Sequence, residues 1–246
     1  MEIVSGKKQR GRITVMYGPH GVGKTTFAVQ YPEALVLDVE DGCADLDVDR
    51  TPVLKTYDEL IDALKWVYAD GAKRYKTIIL DSIDHAELLM HRKICQDASV
   101  ESLADIEWGK GKSRALKKFG DLLHMLSLIR DEHGVDIVVI AHDAIERVED
   151  PETASYDRHV PKTIIRDASS LLCEWADEVL YAHHNVRVKT EKGAFGRETN
   201  KALSRSERML RTTYKPSVIA KNRLEMEEVI PFSYEEYDKY RSKVYA

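Results

Sequence analysis

Residues Gly18-Pro19-His20-Gly21-Val22-Gly23-Lys24-Thr25 have the types and spacing needed to hold a polyphosphate, and Thr26 follows them. Gly18, Gly21 and Gly23 let the backbone curl until its N–H groups point inward around an anion. The helix that should follow adds the positive end of its dipole. In this pattern, Walker A, Lys24 reaches the β- and γ-phosphates of ATP and the Thr25 hydroxyl holds Mg²⁺. Thr77-Ile78-Ile79-Leu80-Asp81 is an apolar run ending in a carboxylate, a Walker B candidate whose Asp81 would share the metal. Ser82 follows it, where many AAA+ proteins carry a catalytic glutamate. The carboxylate that activates water must then come from elsewhere, and Glu40 is the first candidate, with Asp38 and Asp41 as alternatives. His142, at the end of Ile137-Val138-Val139-Ile140-Ala141, is a candidate γ-phosphate sensor.

These groups need a scaffold that brings strand ends together. Strands are expected at Arg12–Tyr17, Ala34–Val39, Thr77–Leu80, Asp136–Ala141 and Glu178–His183. Helices are expected at Lys24–Gln30, Tyr57–Ala69, Ile83–Asp97 and Lys112–Glu132. Short, apolar, β-branched strands alternating with helices predict an α/β fold, a three-layer αβα arrangement around a mainly parallel sheet. Leu60, Ile61, Leu64 and Val67 fall at helical spacing, as do Leu116, Phe119, Leu122, Leu123, Leu126 and Ile129; both stripes are core surfaces. Asp143–Lys162 is polar, carries Pro151 and Pro161, and reads as a long loop. From Val186 to Ile219 the reading is a C-terminal β-hairpin region, with strands over Val186–Thr190 and Arg208–Tyr214 and a turn near Lys192-Gly193, ahead of a short amphipathic helix at Tyr234–Tyr245. The expected organisation is one domain over residues 1–246, with a core of about 10–183 and a basic, β-rich C-terminal extension of about 184–246.

With 246 residues and 32% charged residues, the chain has neither a fibrous nor a disordered composition. No apolar run approaches the roughly 20 residues that cross a membrane, and Met1–Arg12 is polar and basic, unlike a secretory signal. Cys43, Cys95 and Cys173 stand singly, which suits reduced thiols in a cytosolic protein. The net charge is −5, but it is unevenly spread. His183–Arg223 holds 11 Lys and Arg against 3 Asp and Glu, leaving 26 and 39 in the rest of the chain. That asymmetry fits either a solvated basic hairpin or a surface facing a polyanion.

Gly18–Thr25, Leu37-Asp38-Val39-Glu40-Asp41, Ile78–Ser82 and Val138–His142, in that order, resemble the core of the RecA family. The resemblance aligns Glu40 with that family's catalytic glutamate, and the Asp-Ser after the Walker B strand is shared. It departs at His142, where the family carries glutamine. Val218–Arg223 resembles a family segment whose two cations reach the ATP of a neighbouring subunit, which implies that Lys221 and Arg223 act in trans on assembly. A further resemblance is to small phage ATPases with a lone RecA-like core, found in recombination and single-strand-annealing modules. It rests on Gly18–Thr26, Asp38–Gly42, Tyr75–Ser82, Ala141-His142, Asp150-Pro151, Tyr156–Arg158, Glu174–Asp177 and Ala220–Arg223, and so covers most of the chain.

The resemblance implies two DNA-facing loops, near Asp97–Lys112 and Asp143–Lys162. Trp108, Lys110 and Lys112 in the first, and Arg147, Arg158 and Lys162 in the second, offer cations and an aromatic ring for phosphate contact and base stacking. Glu146, Glu149, Asp150, Glu152 and Asp157 dilute the second. The expectation is a Mg²⁺-dependent ATP hydrolase, bound to ATP or ADP, that acts on single-stranded DNA in phage recombination. It would work as a homo-oligomeric ring or filament, beside a phage recombination or single-strand-binding protein, in the cytoplasm of a bacterial host. Rival readings are a helicase motor or loader of the same fold, a small-molecule kinase, and a nucleotide-gated binding module with negligible turnover.

Overall fold

In the computed structural model, the described residues are 3, 5, 6, 10–185, 187–192, 198–203 and 207–245. In chain order the elements are β1 (Ile13–Gly18), α1 (Lys24–Ala28), β2 (Ala34–Asp38), β3 (Asp49–Arg50), α2 (Tyr57–Ala69), β4 (Thr77–Asp81), α3 (Ile83–Ala98) and α4 (Lys110–His133). There follow β5 (Asp136–Val148), β6 (Tyr156–Pro161), α5 (Arg166–Trp175), β7 (Glu178–His184), β8 (Arg187–Lys192), β9 (Glu198–Leu203), β10 (Arg208–Arg211), β11 (Val229–Pro231) and α6 (Tyr234–Tyr245). The main sheet runs β11-β10-β7-β1-β5-β4-β2-β3. Its strands from β7 to β3 are parallel, and β10 and β11 add an antiparallel edge.

Side-chain alternation explains the layers. Ile13, Val15, Tyr17, Ile78, Leu80, Ile137 and Val139 face a core closed by α2, α3, α4 and α5. Met16, Val36, Ile79, Val138, Ile140 and Leu180 face the opposite core, closed by Phe27 of α1 and Tyr237 of α6. The central strands are therefore buried on both sides, which is why they read as continuous apolar runs. The start of α2 is fixed by a capping box: Glu59 N–H donates to Thr56 Oγ1 at 3.2 Å while the Glu59 carboxylate accepts from Thr56 N–H at 3.1 Å. Its Leu60, Leu64 and Val67 are fully buried.

Two expectations need correction. Asp143–Lys162 is not a loop: β5 continues to Val148 and pairs antiparallel with β6, from Asp143 opposite Pro161 to Val148 opposite Tyr156. Val160 and Pro161 at the base of this ribbon are buried, but its outer part is half-buried or exposed and mostly polar, so the sequence lacks the apolar alternation that marks a strand. The helix expected from Lys112 begins at Lys110, so Lys110 and Lys112 lie on its first turn and not on a flexible loop. The C-terminal hairpin expected from the sequence is present as β8 and β9, while β10 and β11 extend the central sheet and α6 helps cover it. The turn near Lys192-Gly193 extends beyond the described residues. The helix α5 had no counterpart in the sequence reading, although Ala168 and Leu172 give it an i, i+4 buried pair.

Candidate functional site

The loop between β1 and α1 is shaped by close approach and handedness. A Cβ on Gly18 would stand 2.1 Å from the Ala182 carbonyl oxygen of β7, so only glycine lets these strands pair there. Gly23 caps α1 at φ +102°, in the left-handed region. Lys24 is buried and its Nζ donates to the carbonyls of Gly18 at 2.8 Å and Pro19 at 3.1 Å. Burial lowers its pKa, and the negative charges of Asp81 and Glu40 oppose that shift.

Parallel pairing delivers the other groups. Asp38 and Asp81 are opposite one another in β2 and β4, and Gly18 is opposite His142 in β1 and β5. The carboxyl ends of these strands form one rim, the usual place for ligands in such sheets. Thr25 Oγ1 donates to Asp81 Oδ2 at 2.7 Å. Burial, reinforced by Glu40 and Asp38, raises the Asp81 pKa to about 6 against the lowering effect of the Thr25 bond and Lys24. The Asp81–Ser82 peptide is cis.

Asp38 accepts backbone N–H bonds from Glu40 at 3.2 Å and Asp41 at 2.7 Å. It shapes the turn that follows β2, and Glu40 is carried forward from it. A cavity of about 330 Å³ is lined by His20, Gly21, Gly23, Lys24, Thr25, Thr26, Glu40, Asp81 and His142, among others. Asp38 and Asp41, the alternatives to Glu40, do not line it.

Two residues missed in the sequence complete the rim. Asp84, in the first turn of α3, accepts from the His142 ring: Asp84 Oδ2 and His142 Nδ1 are 2.9 Å apart. Burial works against ionisation of Asp84, but its bonds with His142 and Ser82 outweigh burial and hold its pKa at about 2. His142 Nε2 then faces Glu40 Oε1 at 3.4 Å. His85 Nδ1 lies 3.5 Å from Glu40 Oε2 and 2.9 Å from Ser82 Oγ. The local signal was an acid and a histidine directly after Walker B, but their meeting with His142 depends on the β4–β5 register. Arg208 was also missed. Its Nη1 donates to the Val22 carbonyl at 3.2 Å, bracing the glycine loop from the antiparallel edge.

Other sequence-predicted residues lie elsewhere. Lys221 is bridged to Val179 at the start of β7, and its Nζ donates to the carbonyls of Cys173 at 3.2 Å, Glu174 at 3.1 Å and Ala176 at 2.6 Å. It caps the end of α5, a favourable position for a cation. Arg223 is exposed and bonds Asp177 at 2.9 Å. Neither reaches the glycine loop of its own chain, because both sit toward the amino ends of β1 and β7. Arg158 pairs with Glu146 at 2.7 Å, Arg147 with Asp157 at 3.4 Å, and Lys162 lies 3.9 Å from Asp84. Lys110 and Lys112 are exposed, and the Trp108 side chain lies outside the described residues.

The family described as AAA domain matches residues 10–224. Among solved structures, one titled "Crystal structure of the RadB recombinase" is similar at 13% identity and a TM-score of 0.44, over 82% of this chain and 87% of that chain. No curated protein shows significant sequence similarity. No helix among the described residues is long and apolar enough to cross a membrane.

Proposed function

The chain belongs to the AAA domain family, and we propose that it binds ATP at the glycine loop and hydrolyses it. The observation that carries this reading is the convergence of Lys24, Thr25, Glu40, Asp81 and His142 on one cavity at the strand ends. The Thr25 hydroxyl and Asp81 carboxylate, bonded to each other at 2.7 Å, are a hard-oxygen pair that fits Mg²⁺. When bound there, the ion supplies charge neutralisation at the phosphate oxygens. Lys24 and the loop N–H groups bind the β- and γ-phosphates. Glu40 orients the attacking water and takes its proton. His142, fixed by Asp84, reports the γ-phosphate.

The output element in this reading is the β5–β6 ribbon. It grows from the same strand that carries His142, and Lys162 N–H donates to the His142 carbonyl at 2.8 Å. We assign single-stranded DNA as the macromolecular ligand, in a RecA-like recombination role of the phage annealing type. The exposed Lys110 and Lys112 support it, as does the basic stretch His183–Arg223. Assembly into a homo-oligomer would multiply weak contacts of this kind. Lys221 and Arg223 serve a neighbour's ATP only if Lys221 releases the end of α5.

The test is steady-state ATP hydrolysis with and without single-stranded DNA at low and moderate salt. Stimulation that fades with salt is expected. DNA-independent turnover with no DNA binding at low salt would remove the DNA assignment and leave the ATPase.

A further inference from the structure

Beside the Mg²⁺ pair, the same rim carries a different donor set. His20, Glu40 and His142 each offer one ligand atom, and these atoms all lie within 4.8 Å of one another. They come from three separate segments: the phosphate loop, the turn after β2, and β5. We propose that His20, Glu40 and His142 form a binding site for a Zn²⁺-class transition-metal ion, distinct from Thr25 and Asp81.

Three features point to such an ion. The donors are two imidazoles and one carboxylate, a set suited to Zn²⁺ and poorly suited to Mg²⁺, which prefers oxygen. The separation of His142 Nε2 and Glu40 Oε1 is 3.4 Å. Two ligands about 2.0–2.1 Å from a tetrahedral Zn²⁺ stand roughly 3.3 Å apart, so this edge already has metal-site dimensions. Finally, His142 presents its other nitrogen, Nδ1, to the buried Asp84 carboxylate at 2.9 Å. That is the carboxylate–histidine pairing that orients metal-binding imidazoles.

His20 supplies the adjustable third ligand. Its ring stacks on His142 with centroids 3.8 Å apart and planes at 26°. A metal lies in the plane of each imidazole that binds it, so the His20 ring must swing out of the stack. It is exposed and has the freedom to do so. The fourth position is left for water or a phosphate oxygen. A metal here also engages Glu40, so Zn²⁺ should inhibit ATP turnover; that consequence, unlike binding itself, rests on the ATPase reading above.

The test uses the full chain without nucleotide, titrated with Co²⁺ as a spectroscopic substitute and then with Zn²⁺ in competition. One equivalent of Co²⁺ should give the intense visible absorption of a four-coordinate ion, and Zn²⁺ should abolish it. His20→Ala removes an exposed side chain that the fold does not need, and should eliminate the band. Asp84→Asn should weaken binding about 10- to 100-fold. Asp81→Asn should leave the band in place. Absence of the band, its persistence in either His20→Ala or His142→Ala, or its loss in a folded Asp81→Asn variant would overturn the site. None of these readouts depends on hydrolysis.

Discussion

The strand-end rim and the β5–β6 ribbon are both rich in charge, yet they handle it in opposite ways. At the rim, Lys24, Glu40, Asp81 and His142 are drawn together around a cavity by strands buried on both faces. Along the ribbon, Arg158 shares the Glu146 carboxylate with Arg166 of α5, and Arg147 meets Asp157. The rim holds its charges facing a space where a ligand fits, whereas the ribbon neutralises its charges across the strand pair. Residue type alone therefore says little about function; the partner that the fold supplies decides whether a cation is available.

The largest expected effect is on the rim. Glu40→Gln should lower kcat by about 10²- to 10⁴-fold while ATP still binds, as separate turnover and nucleotide-binding assays would read. A loss of binding with unchanged turnover per bound nucleotide would assign Glu40 to the wrong step. Next comes the scaffold that holds the rim. Leu64→Ala, at a fully buried position of α2, should cost about 2–5 kcal/mol in denaturant unfolding. Ile145→Ala on the ribbon, where the side chain is 68% exposed, should change stability by less than about 0.5 kcal/mol. Equal costs at the two positions would erase the contrast between region types.

Two substitutions that act on individual polar contacts sharpen the comparison. Arg208→Ala removes one bond to the Val22 carbonyl and should weaken nucleotide affinity by about 1 kcal/mol, measured by titration with a fluorescent nucleotide. Glu146→Gln frees Arg158 and Arg166 from their shared carboxylate. Single-stranded DNA affinity at low salt should then rise by roughly 0.2–1 kcal/mol, a gain that higher salt removes. Unchanged affinity would take the ribbon off the DNA-facing surface.

The sequence was legible where geometry is local. The glycine loop, the strand ending at Asp81 and the helix Tyr57–Ala69 are specified by neighbours within a few residues: glycine φ, apolar runs, a capping box. It was less legible where the deciding partner is far away in the chain. The link between Asp84 and His142 spans 58 positions, and that between Arg208 and Val22 spans 186. The ribbon escaped notice for a related reason. Its outer positions are mostly polar whichever way they face, so the half-buried alternation there leaves no apolar signature, and Pro151 and Pro161 suggest a break. Lys221 shows the converse: its motif was visible, but the Ala176 carbonyl that holds its Nζ at 2.6 Å was not.

Mg²⁺-dependent ATP turnover by Lys24→Ala, beside the unaltered chain and with a thermal melt to verify folding, tests the central claim most directly. The rim assignment predicts a folded protein with turnover reduced to background. Full turnover in that variant would contradict it, and would place any ATP hydrolysis outside the cavity formed by the glycine loop, Glu40, Asp81 and His142.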